Sequence, residues 1–303
     1  MRRMRGAAAV VLGGLLAALL TGCGNPGGVD GQIADDWALA SAPELFVPTA
    51  GVCHPGAHDP SGPLVGYQPV DCAAEHLGET AFVGTFTGDP AVATAPPTAD
   101  SPARRSAYAA CDKEAAGYLG ADFRQGRLWM GVVVPSAAGW AGGARWFRCD
   151  LYQVPTVEDH DDPVARTSSL QGALADPASP LALGCYQVKA TASGAIGAMS
   201  PIACDKAHNS EFAGVYAAAP AVRFPRSDAD WQRLHNGCRA VVADYVKVPN
   251  DGELQFRTGT VAVPATEVDW AAGDRGVRCY LYLKDAKFTR SLEGAGAKAL
   301  PAQ

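Results

Sequence analysis

Alternating and β-branched apolar runs recur twice along the chain, each time around one stretch of helical spacing. In the first set, "ETAFVGTF" (79–86), "RLWMGVVVP" (127–135) and "RWFRCDLYQV" (145–154) read as strands. In the second, "EFAGVY" (211–216), "LQFRTGTVAVP" (254–264) and "RGVRCYLYLK" (275–284) do the same. Pro135 and Pro264 end the β-branched runs. Phe147, Cys149 and Leu151 share one strand face, as do Val277, Cys279, Leu281 and Leu283; Arg148, Asp150 and Arg278 point the other way. Between the strands lies a helix. Ser101 and Pro102 form an N-cap with proline at the first helical position, followed by Tyr108, Cys111, Ala115 and Tyr118 on one face. Ser227 and Asp230 make a capping-box start for Trp231, Leu234, Cys238, Val242 and Tyr245. Each set therefore predicts an α+β unit, an antiparallel sheet with one packed helix.

The two sets agree residue by residue. "VDCAAEHLGETAFVG" and "IACDKAHNSEFAGVY" both carry C-x-x-x-H-x-x-E, with His76 and Glu79 in one and His208 and Glu211 in the other. Tyr118 and Tyr245 each follow a cysteine by seven positions. "WAGGARWFRCDLY" and "WAAGDRGVRCYLY" repeat Trp, Gly, Arg, Arg, Cys, Leu and Tyr at identical spacing. This reads as a duplication, with domains at 48–154 and 181–286. The stretch 155–180, rich in proline and without an apolar period, reads as a linker, and 287–303 as a flexible tail.

The first 22 residues add an address. Arg2, Arg3 and Arg5 precede a short apolar run, Ala7 to Leu20, that ends in Leu20-Thr21-Gly22-Cys23. The run falls short of the roughly 20 residues a span needs. A basic head, a short apolar core and a small residue before cysteine describe a cleavable lipoprotein signal, with Cys23 as the lipidated new N-terminus (palmitate among its acyl chains). Residues 23–47 then form a tether, in which Trp37, Leu39, Leu45 and Phe46 could pack back on the first unit. Cleavage leaves 22 basic residues (25 less three arginines) against 31 acidic ones. That surplus, without basic clusters, argues against nucleic acid and against anionic headgroups.

Apart from Cys23, eight cysteines fall into two sets of four: Cys53, Cys72, Cys111 and Cys149, then Cys185, Cys204, Cys238 and Cys279. In an exported chain they should form disulfides, within each unit if symmetry holds. Three connectivities per unit remain open. The preferred one is nested: Cys53–Cys149 with Cys72–Cys111, and Cys185–Cys279 with Cys204–Cys238. No C-x-x-C or close histidine set suggests zinc.

Candidate chemistry is sparse. His76 with Glu79, and His208 with Glu211, could hold a metal or act in acid–base catalysis. Because each pair enters a strand, it need not converge. The simpler expectation places the histidine beside a disulfide, with the glutamate meeting Arg145 or Arg148 (Arg275 or Arg278) across the sheet. Trp140 with Arg145 and Trp270 with Arg275 could stack on a sugar or peptide, but capping of the core is favoured, with Gly143 and Gly273 permitting the turn. His54 and His58 read as a solvated loop, and Asp159, His160, Asp161 and Asp162 as a solvated acidic loop. No nucleophile motif is found.

The cysteine, histidine and tryptophan motifs of both units, "VDCAAEH", "IACDKAH", "WAGGARWFRC" and "WAAGDRGVRC", resemble the septum formation domain family of actinobacterial membrane proteins and lipoproteins. The likeness covers about 48–152 and 181–285. The chain departs from it at Ala74-Glu75, where a turn-forming polar residue or proline is usual. The resemblance implies an extracytoplasmic domain tied to division or envelope biology, and no catalytic residue. The expectation is a non-enzymatic lipoprotein without cofactor, held on the outer face of the cell membrane. It would bind an envelope protein or cell-wall component. A metal-assisted hydrolase, or a small-ligand-binding lipoprotein with its site between the units, is the alternative.

Overall fold

A computed structural model describes residues 44–64, 67–157, 162–192, 196–284 and 287–300. The signal segment, Cys23 and nearly all of the tether lie outside the described residues, as do Asp159, His160 and Asp161. Among the described residues no helix is long and apolar enough to cross a membrane.

The first half comprises β1 (Val52–His54), β2 (Ser61–Gly62), β3 (Gly78–Thr85), α1 (Pro102–Leu119), β4 (Leu128–Pro135), the short α2 (Ala137–Ala141) and β5 (Trp146–Gln153). The second comprises β6 (Cys185–Ala190), β7 (Ile196–Ile202), β8 (Ser210–Ala217), α3 (Asp228–Val246), β9 (Gly259–Pro264), α4 (Glu267–Ala272) and β10 (Gly276–Tyr282). Each half forms a five-stranded sheet, ordered β1-β3-β5-β4-β2 and β7-β6-β8-β10-β9. Pairing is antiparallel throughout except for β2 with β4. The long helix lies across β3, β4 and β5 in one half and β8, β9 and β10 in the other. The predicted α+β class and both helix starts hold: the Ser101 side chain accepts from the Arg104 amide, and Ser227 with Asp230 completes a capping box.

Several expectations are corrected. Residues 254–256 form a 3₁₀ turn, so β9 starts only at Gly259. β7 was not anticipated: its glycine- and alanine-rich segment carries no β-branched alternation. Trp231 leaves the buried helix face and stays 37% exposed. The presumed linker and tail both fold onto the sheets. Leu170 and Leu292 are fully buried, one in each half. Phe46, at the tether's end, packs edge-on against Tyr67 and Trp146.

The disulfides join Cys53 to Cys72, Cys111 to Cys149, Cys185 to Cys204 and Cys238 to Cys279. The nested pairing is therefore wrong in both halves. Strand order explains the outcome. Cys53 bridges Val70, and Cys185 pairs with Ile202, so the cysteine two residues further on lies beside its neighbour strand and away from the helix. Cys111 and Cys238, on the buried helix faces, meet the central strands β5 and β10. Closing loops of this length stabilises the fold by about 3–4 kcal/mol each.

The halves meet through buried charge. Arg124, after α1, bonds Asp274 at 2.8 Å and also reaches Asp112 and Asp122. Arg278 of β10 donates to the backbone oxygens of Arg124 and Leu128, both at 3.0 Å. Gly276 permits this approach: a Cβ there would lie 2.1 Å from the Arg124 side chain.

Candidate functional site

The C-x-x-x-H-x-x-E segments enter β3 and β8 beside a cysteine of the neighbouring strand. Cys53 pairs with Glu79 across β1 and β3, and Cys185 with Glu211 across β6 and β8. Histidine, glutamate and disulfide sulfur thus converge in both halves, with their polar atoms within 4.8 Å. The histidine lies beside the disulfide as expected. The glutamate does not meet the arginines of the last strand. It turns inward, toward the helix and toward a chain segment that follows the sheet.

That segment is a strap with the same construction in both halves. Arg166 exchanges two backbone hydrogen bonds with His76, and Phe288 does so with His208. Glu79 accepts from the Leu170 amide at 2.6 Å, from the Ser169 hydroxyl at 2.5 Å and from Tyr118. Glu211 accepts from the Leu292 amide at 3.0 Å, the Ser291 hydroxyl at 2.9 Å and the Tyr245 hydroxyl at 2.7 Å. The strap then caps the helix. Gly172 and Leu174 donate to the carbonyls of Tyr118 and Leu119, while Gly294 and Gly296 donate to those of Tyr245 and Val246. These are the C-terminal carbonyls that a helix leaves without partners. Gly172 and Gly294 turn the strap at φ of 69° and 64°, where a side chain would be strained.

Sequence reasoning missed this element, although a signal exists. Thr167, Ser169, Leu170, Gly172 and Ala173 match Thr289, Ser291, Leu292, Gly294 and Ala295 as T-x-S-L-x-G-A.

The histidines differ in one bond. Nδ1 of His76 and of His208 donates to a backbone carbonyl two residues earlier, at 2.8 and 2.7 Å. Nε2 of His208 lies 2.9 Å from Glu211, within hydrogen-bond reach. Nε2 of His76 meets no hydrogen-bond partner among the described residues. Histidine and glutamate therefore come together in both halves, and in the second they are also within hydrogen-bond distance. As a metal site the cluster is thin. The sulfurs are oxidised and cannot ligate as thiolates, which leaves one histidine and one occupied carboxylate per half.

Trp140 and Trp270 are buried, with their indole N–H bonded to the carbonyls of Ala93 and Val222. Arg145 and Arg275 stack on them at 4.2 and 4.9 Å. Gly143 and Gly273 take positive φ in the turns that follow. Neither indole is an open stacking platform.

His54 is corrected from loop to core. It lies in β1, buried, with Nε2 donating to Thr80 at 2.7 Å; Thr80 in turn donates to Asp150 at 2.7 Å, and Arg148 pairs with Asp150 at 2.9 Å. Thr80 is fully buried, so this chain of bonds presents no nucleophile. Burial, then the Arg148 and His76 charges, push the His54 pKa from 6.5 down to about 4. The unfolded chain takes up that proton first. Stability from this residue is thus full above about pH 6.5 and is lost as pH falls toward 4. His54→Gln should flatten the decline of the urea midpoint over that interval; an unchanged slope would remove His54 from the account.

The Septum formation family model matches residues 50–279. No curated protein and no solved structure matches the chain. The matched region runs from just before β1 into β10 and takes in all four disulfides and both histidine–glutamate pairs, so the chain belongs to the septum formation family.

Proposed function

We propose that this protein is a non-enzymatic interaction module, anchored by a lipidated Cys23 outside the cytoplasmic membrane, in septum or envelope assembly. We read its two halves as tandem copies. One observation carries the reading. The polar constellation common to both halves is spent on holding the straps: Glu79 and Glu211 are at most 1% exposed, and each has three or more protein donors. A catalytic carboxylate or metal ligand needs a face open to substrate or water. Family membership supports the septal setting, and the paired cysteines suit an oxidising compartment. The basic and apolar segment ending at Cys23 supports the anchor.

The test is a fluorescent fusion of the full chain in dividing cells. Enrichment at the septum in the membrane fraction is expected, with release from the membrane on Cys23→Ala. Uniform cytosolic signal with an unprocessed Met1 would contradict the reading.

A further inference from the structure

A cavity of ≈ 560 Å³ opens between α1, β4 and α4, where the halves adjoin. Its walls include Tyr108, Trp129, Met130 and Tyr152, with Asp269 from the second half and Arg104 from the first turn of α1. Arg104 is only 6% exposed. Its Nη2 donates to the backbone oxygens of Val132 and Pro60. Among the described residues no carboxylate pairs with it, and the bonds seen from its guanidinium run from Nη2 to backbone oxygens. Asp269 is bonded by the Trp129 indole and the Thr266 hydroxyl.

A guanidinium withdrawn from water normally has an anion beside it, because an unpaired buried charge is costly. Burial lowers the Arg104 pKa from 12.5 to about 10, so the group remains a cation at neutral pH. Its planar fork suits two oxygens of one carboxylate or phosphate, while the aromatic walls suit an apolar body.

The second half offers a built-in comparison. Arg104 precedes Cys111 by seven residues, and Trp231 precedes Cys238 by seven; Tyr152 and Tyr282 each follow the last cysteine by three. Trp231, His235 and Tyr282 line a cleft of ≈ 850 Å³ at that matching place. The cleft recurs and the buried cation does not, so the cation is not a requirement of the fold.

We propose that the cavity between α1, β4 and α4 binds a small organic anion with an apolar or aromatic body, its anionic group paired with Arg104. This site is additional to the interaction role and does not depend on it.

The test is calorimetric titration of the full chain with three probes: 3-phenylpropionate, phenyl phosphate and the neutral 3-phenylpropanamide. At least one anion should bind roughly tenfold or more tightly than the amide, the worth of a charge-assisted bond. Which anion wins separates a carboxylate from a phosphate ligand. Arg104→Gln should bring the ratio to about one, and Trp231→Phe should preserve it. Should Arg104→Gln not fold, the Arg104 Nε–H resonance of the unaltered protein decides the matter. It shifts with the preferred anion and not with the amide. Equal binding of all three probes, binding of none, an unmoved Arg104 resonance, or a ratio lost in Trp231→Phe would each overturn the proposal.

Discussion

Glu211→Ala lowers the unfolding free energy by about 3–5 kcal/mol, because it strips the acceptor from two buried donors at about 1–3 kcal/mol each and from the Tyr245 and Ser291 hydroxyls besides. The carboxylate holds His208 at 2.9 Å, and both side chains are at most 1% exposed. Its loss strands the imidazole and the buried Leu292 amide together. Tyr245 and Ser291 lie nearer solvent and recover bonds to water, so they add less. Glu211→Gln is milder, about 1–3 kcal/mol, because an amide still offers one acceptor oxygen. In a His208→Ala background, Glu211→Ala costs less than in the unaltered protein, since the stranded ring is gone. Urea denaturation measures all five proteins, the unaltered chain and the His208→Ala background included. A loss below about 1 kcal/mol for Glu211→Ala would show that the strap does not depend on this residue.

Arg124→Ala has an effect of similar size, about 3–5 kcal/mol, and acts where the halves meet. Asp274, whose side chain is 5% exposed, would lose the guanidinium at 2.8 Å. The Gly276 amide still donates to it at 2.9 Å, but a neutral donor does not balance a buried carboxylate. Asp112 and Asp122 are 41% and 32% exposed and turn to water. The double variant Arg124→Ala, Asp274→Ala should be more stable than Arg124→Ala alone, because the stranded partner is removed. Additivity of the two single losses, within about 0.5 kcal/mol, would mean that the pair is not coupled.

Local rules reached far into this fold. Ser101 and Ser227 announce their helices by capping chemistry alone, and alternation around Cys149 and Cys279 assigns β5 and β10 to the core. Strand order was less legible. Cys72 and Cys204 find partners because the chain turns back on β1 and β6 within 19 residues, a local pairing that no alternating run announces. The straps were illegible for a different reason. Each centres on one fully buried leucine and bonds through a backbone amide and a hydroxyl to a glutamate some 80 to 91 positions away. No apolar period records such contacts. The Arg124–Asp274 pair, 150 positions apart, is likewise invisible to any local pattern.

The glutamates of the C-x-x-x-H-x-x-E segments hold the straps in place. Amide hydrogen exchange at Leu170 and Leu292 tests this most directly. In the unaltered chain both amides should be among the slowest to exchange, opening only with global unfolding. Glu79→Ala should release Leu170 and leave Leu292 slow, and Glu211→Ala should do the reverse. Fast exchange at both amides in the unaltered protein, or equal protection in all three proteins, would contradict the account.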